Sequence, residues 1–138
     1  AWPANVERLE HVPPSDHPGF YAASRYTLNV TRADMIAAGY SPSVRLFEAA
    51  ACGCPIISDV WDGLSELFAP GEEIVLAPDT GAVLQALDDP DPRRPQAIAE
   101  AARMRALGEH TADHRALELE RWLKQAEGRK AQAALSVA

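Results

Sequence analysis

"GYSPSVRLFEAAACGCPIISD", residues 39–59, decides the fold. Ser41 is a suitable N-cap, and Pro42 suits the first helical position, where a missing N–H costs nothing. Gly53 fits the position just past the helix end, and Pro55 stops the helix from continuing. The β-branched run "PIISDV" (55–60) that follows reads as a strand. The stretch is therefore a helix delivered into a strand. Before Asp59 its only charges are Arg45 and Glu48.

The same alternation extends outward. Towards the C-terminus, "DGLSELF" (62–68) reads as a short helix opened by Asp62. "EEIVLA" (72–77) reads as a strand, and "DTGAVLQALDD" (79–89) as a helix capped by Asp79. Towards the N-terminus, residues 32–43 read as a loop with room for one helical turn. "YTLNVT" (26–31) reads as a buried strand. A short helix capped by Ser15 or Asp16 runs to Ala23, and "VERLEHV" (6–12), with alternating apolar and charged residues, reads as a strand. Strands alternating with helices imply βαβ units. The expected fold is α/β, an open parallel Rossmann-like sheet with helices on both faces and a helical C-terminal tail. That tail holds two helices broken near residues 108–111, with Thr111 capping the second. Ile98, Ala101, Ala102 and Met104 give the first an apolar side, and Leu117, Leu119, Trp122 and Leu123 the second. Residues 1–128 are expected to form the domain and 129–138 a frayed end.

Composition bounds the function. The 138 residues are 47% hydrophobic and 24% charged, with a net charge of −7. That charge disfavours nucleic acid and anionic membranes as partners. No apolar run is long enough to span a bilayer, and the first residues do not read as a signal peptide. Cys52 and Cys54 are too close for a useful disulfide and read as reduced core residues, which points to the cytoplasm. The absence of an initiator Met is expected of an excised piece of a longer protein, although processing would also remove it.

At 100° per residue, Ser41, Arg45, Glu48 and Cys52 share one stripe of the central helix. Val44, Phe47 and Ala51 form the neighbouring stripe, expected to face the sheet. In a parallel sheet, ligands sit beyond the carboxyl ends of the strands. Residues 32–43 leave such an end, so Gly39, Tyr40, Ser41 and Ser43 belong at the crevice. A helix N-terminus there favours an anion, with Ser41, Ser43 and Arg45 as further donors. Glu48, one turn on, would accept from the hydroxyls of an adjacent ribose. The competing interpretation is an i,i+3 Arg45–Glu48 ion pair on a solvated face, which helix spacing alone favours.

A resemblance shifts that balance. "RLFEAAACGCPIISD" resembles the "lEAmAcGtPVi" signature of glycosyltransferases with the two-domain GT-B fold. The longer "SPSVRLFEAAACGCPIISDVWDGLSELFAPGEEIVLA" is similar to the CgeB-like group of glycosyltransferases, and "IAEAARMRALGEHTADHRALEL" to that group's ending. The likeness runs from about residue 6 to residue 125. It implies the donor-binding C-terminal half of a transferase of hexosyltransferase type, acting on a nucleotide-diphosphate sugar without a metal or cofactor. Glu48 matches the ribose-binding Glu, and Gly39, Tyr40, Ser41, Ser43 and Val44 the diphosphate-binding loop and helix start. Tyr40 stands where many retaining members carry the first Glu of an E-x7-E pair. The opening strand of that half and the acceptor-binding N-terminal domain are expected to lie outside this chain, so that alone it would not catalyse transfer. The acceptor is not indicated. The alternative is a non-catalytic nucleotide- or partner-binding module.

Other residues carry less. Arg32 and Asp34 either line the crevice or belong to a capped loop. Asp59 either meets the ligand or caps "DGLSELF", the latter being favoured. Trp61 reads as a packing aromatic. His110 and His114 have an i,i+4 spacing but no further ligand, so capping is the expectation rather than zinc. Asp88, Asp89 and Asp91 lie in a turn. Ser24, Ser58 and Ser65 lack a hydrolase nucleophile's context. No G-x-G-x-x-G or P-loop is present, which disfavours a dehydrogenase or an NTPase.

Overall fold

The computed structural model describes the backbone of residues 2–135 and the side chains up to residue 129. Three strands, β1 (Thr27–Asn29), β2 (Ile56–Ser58) and β3 (Val75–Leu76), form one parallel sheet in that order. Thr27 pairs with Ile56, and Ile57 with Val75. The helices among the described residues are α1 (His17–Ala22), α2 (Ala33–Ala38), α3 (Val44–Ala51), α4 (Leu64–Leu67), α5 (Thr80–Leu87), α6 (Arg94–Glu109) and α7 (Ala112–Leu135). Every strand-to-strand connection carries helix, as parallel pairing requires. Successive strand residues face opposite ways, and Ile56, Ile57 and Ser58 are all buried. Both faces of β2 are therefore covered. This is the expected α/β class.

The core joins α3, α6 and the Ile56 face of the sheet. Leu46, Ala49 and Ala50 of α3 are sealed, as are Ala102 and Ala106 of α6. Alanines on both helices let their axes approach closely, and the larger Phe68, Leu64 and Ile74 fill the space beside them. The stripe expected to face the sheet, Val44–Phe47–Ala51, is thus out of phase. Val44 is 67% exposed, and Phe47 lies only at the core's margin, tilted against Phe68 and His110. The alanines that meet α6 fix the phase of the helix, not its largest side chain.

Several local expectations need correction. Residues 6–12 form no strand, and Val6 and Leu9 are exposed. Alternation gives a strand only where a ladder partner exists, and β1 pairs with β2 alone. Ser43, not Ser41, caps α3, accepting from the Arg45 N–H at 3.4 Å. The extended backbone at Ser43 (φ −70°, ψ 138°) starts the helix there, two residues later than expected. α2 is a helix of more than one turn, where a loop with at most one was expected. Gly63 at φ 101 precedes α4, which has no side-chain cap, so Asp62 does not serve as one. Asp16 occupies the N-cap position of α1 without capping it. Asp79 does cap α5, accepting from the Ala82 N–H at 2.9 Å. In α6, Ile98, Ala99, Ala102 and Ala106 are buried while Met104 is exposed. α7 runs to Leu135, and residues 136–138 of the expected frayed end lie outside the described residues.

Candidate functional site

The carboxyl ends of β1 and β2 are bound to one another by side chains. Asn29, the last residue of β1, donates to the Ser58 hydroxyl at 3.0 Å and the Thr31 hydroxyl at 3.2 Å. Asp59 accepts from the Thr31 N–H at 2.8 Å and the Thr31 hydroxyl at 2.7 Å. It also accepts from the Ser58 hydroxyl at 3.3 Å. Asp59 therefore does not cap the following helix. It pins the chain leaving β1 to the end of β2, and so sets where residues 31–43 begin. Asn29 is 1% exposed, and its side-chain Oδ1 has no partner.

From this clamp the chain passes Arg32, which precedes α2 and is exposed. Gly39 and Tyr40 then turn it with positive φ values of 62° and 49°. The Tyr40 N–H donates to the Asp62 carbonyl at 2.7 Å, fixing this turn against the loop after β2. A Cβ on Gly63 would stand 2.6 Å from the Tyr40 ring, so only glycine lets the two loops meet here. The Tyr40 hydroxyl donates to Glu66 at 3.1 Å; that bond and the Glu66 charge push its pKa up. Ser41 and Ser43 are half-buried and lead into the first turn of α3, where Val44 and Arg45 are exposed.

Arg45 and Glu48 form no ion pair; Arg45 has no acidic partner among the described residues. Glu48 turns instead towards α1, where its Oε1 lies 3.7 Å from Nδ1 of His17. Beneath them is Tyr21, 6% exposed, whose pKa is pushed up by burial and by the Glu48 charge and is pulled back by Arg45. Both charged side chains of α3 thus act electrostatically on the same tyrosine. The structure brings Gly39 and Tyr40 to the Asp62–Gly63 loop and sets Glu48 against His17. Among the described residues no hydrogen bond or ion pair joins the Arg32 side chain to this group. Sequence reasoning missed His17, which stands on a different helix from Glu48, beyond any spacing rule.

The remaining candidates are structural. His110 Nε2 meets the Leu67 carbonyl at 3.1 Å, and His114 Nδ1 meets the Thr111 hydroxyl at 2.7 Å. Thr111 accepts from the His114 N–H at 3.4 Å, as its predicted capping role requires. Trp61 is buried in the core. Cys52 and Cys54 are free, and burial raises the pKa of Cys54. A cavity of about 260 Å³ lined by Tyr26, Leu76, Ala86, Asp89 and Arg94 opens beside β3 and the residue preceding β1. Among the described residues no cluster of acidic, His and Cys side chains could hold a metal ion. No helix among them is long and apolar enough to cross a membrane.

Residues 1–121 match the family described as glycosyl transferase-like. The chain belongs to that family. Among solved structures, sucrose-phosphate synthase from Thermosynechococcus elongatus superposes with a TM-score of 0.59 at 22% identity. The match covers 80% of this chain and 27% of the synthase, so this glycosyl transferase-like chain spans about a quarter of that protein's length. At that identity the likeness speaks for the fold, which is part of a GT-B Rossmann-like domain. No curated protein matches the chain.

Proposed function

We propose that this chain is the donor-binding portion of a glycosyltransferase that transfers a sugar from a nucleotide-diphosphate sugar to an acceptor. Glu48 accepts hydrogen bonds from the ribose hydroxyls. Gly39, Tyr40, Ser41, Ser43, Val44 and Arg45 surround the diphosphate, and Arg32 stands at the outer edge of the crevice. The observation that carries this reading is that Arg45 and Glu48 do not neutralise each other. The solvated ion pair, which was the simplest competing account, is not formed: Arg45 has no acidic partner among the described residues, and Glu48, one turn on, lies against His17 with Oε2 left over.

The chemistry follows from the placement. Ser43 takes up the Arg45 and Leu46 N–H groups at the start of α3, and the helix dipole favours an anion there. Arg45 adds charge to the same turn. Together they stabilise the diphosphate as it departs, the charge compensation that metal-independent transfer of the CgeB-like type needs. The acceptor and any catalytic base come from a domain outside this chain, and the protein works in the cytoplasm.

Calorimetric titration of UDP-glucose, GDP-mannose and ADP-glucose tests the site. A hydrogen bond to a charged group contributes about 1.5–3 kcal/mol, so Glu48→Gln is expected to weaken binding about 10- to 100-fold. Arg45→Ala is expected to weaken it too. Binding that is unchanged in both variants would sink the assignment. A second reading, a non-catalytic nucleotide-binding module, is favoured by Tyr40, which holds the position of a sugar-binding Glu and spends its hydroxyl on Glu66. Under that reading nucleotide binds, but a protein supplying the acceptor domain shows no transfer or donor hydrolysis.

A further inference from the structure

We infer that His17 is a positioning residue of the donor site, and that it holds the Glu48 carboxylate only as an imidazolium. The inference rests on the donor-site reading above and adds the group that sets the geometry and pH dependence of Glu48. His17 Nε2 lies 3.0 Å from the Val12 carbonyl. A carbonyl only accepts, so Nε2 carries a hydrogen and the neutral ring has a bare lone pair at Nδ1. That Nδ1 is the atom 3.7 Å from Glu48 Oε1. In the neutral ring two lone pairs confront each other, and nothing fixes the carboxylate. Protonation of Nδ1 turns the same contact into an ion pair that ties α1 to α3.

The ring is well placed for this. It is held edge-on to Tyr21 at 5.7 Å and anchored through Val12, and its side chain is 23% exposed against 39% for Glu48. The charged and titratable groups around it are Glu48 from α3, Tyr21 on its own helix, Asp16 immediately before it, and Arg45 one turn earlier on α3. Each carboxylate oxygen accepts more than one hydrogen bond, so an imidazolium on Oε1 leaves Oε2 and a further lone pair for the ribose diol. The consequence is a Glu48 whose rotamer is set before the ligand arrives.

The test is the pH dependence of binding in the full chain, measured by calorimetry with the same three nucleotide sugars. Their diphosphate is doubly esterified and does not titrate near neutrality, so the slope belongs to the protein. Histidine changes charge across this range, and wild type is expected to bind about three- to fivefold tighter near pH 6 than near pH 8. His17→Gln should be flat at the weaker level, and His17→Arg, a permanent cation, flat at the tighter level. A wild-type slope that persists in His17→Gln or His17→Arg overturns the inference, as does a wild type with no slope. Should His17→Gln fail to fold, the slope of His17→Arg against wild type decides alone. Loss of binding in Glu48→Gln together with an unaltered slope in both His17 variants removes His17 and keeps the donor site. No binding by wild type, or full binding by Glu48→Gln, removes both.

Discussion

α6 and α7 make an instructive pair. Both are long, and both carry apolar residues at helical spacing. α6 buries Ile98, Ala99, Ala102 and Ala106 against α3 and the sheet. In α7, Leu117, Leu119, Trp122 and Leu123 are all more than half exposed. The difference lies in the partner. Alanines on α6 face alanines on α3, so two backbones approach and the apolar stripe closes. α7 has larger apolar side chains, and among the described residues they stay exposed rather than packed on an opposing element. Periodicity reports that a helix has an apolar side; it does not report that the side is covered.

The strongest way to break this comparison is to cut the same atoms from each region. Leu46 is fully buried where α3 meets the core, so Leu46→Ala should cost about 2–5 kcal/mol in chemical denaturation. Leu123→Ala should change stability by no more than about 0.5 kcal/mol. A comparable loss in both would mean that α7 is packed in solution and that the contrast is wrong.

What was legible in the sequence follows the same division. β1 and β2 were readable because β-branched and aromatic residues crowd "YTLNVT" and "PIISDV". The cap at Asp79, the stop at Gly53 and the cap at Thr111 were readable because each depends on bonds within a few residues. The failures are non-local. "VERLEHV" alternates correctly but lacks a ladder partner. The phase of α3 depends on α6, far along the chain. Asp59 was weighed as a cap or a ligand contact because nothing near it in sequence shows that Thr31 lies beside it. The candidate site divides likewise: spacing alone put Arg45 and Glu48 on one helix, whereas His17 stands on another helix and could come only from coordinates.

Between the sealed core and the exposed tail lies the carboxyl edge of the sheet, and Asp59 measures how firmly it is tied. Asp59→Ala removes an acceptor from the Thr31 N–H and from the Thr31 and Ser58 hydroxyls. Leaving partly buried donors unsatisfied costs about 1–3 kcal/mol, so the variant should fall between Leu46→Ala and Leu123→Ala. A change as small as that of Leu123→Ala would place the strand ends with the tail rather than the core.

Further out, Gly63→Ala probes the contact of the two loops. The backbone at φ 101 strains any L-residue, and the new methyl would press on the Tyr40 ring. A cost of about 1–2 kcal/mol is expected from the backbone alone. In a double-mutant cycle, Tyr40→Ala should recover the part due to collision and leave the backbone part. Strict additivity would show that the ring swings away freely, so that the loop contact is weaker than the geometry suggests.

The smallest effect is at the rim itself. Tyr40 donates to Glu66, and its pKa is raised by that hydrogen bond first and by the Glu66 charge second. A phenol whose folded pKa is raised adds stability that is fully present below its unfolded pKa and is lost as pH rises through the folded value. Both side chains are exposed, so the stability effect should be at the limit of detection. The titration is more sensitive. An ultraviolet difference titration of Glu66→Gln should move one phenol to lower pH than in wild type and leave the other two unmoved. If no phenol moves, Tyr40 is not held to α4, and its ring is free to follow a ligand. The tied region then ends at the Tyr40–Asp62 backbone bond, and the loop before α3 has a mobile wall at Tyr40.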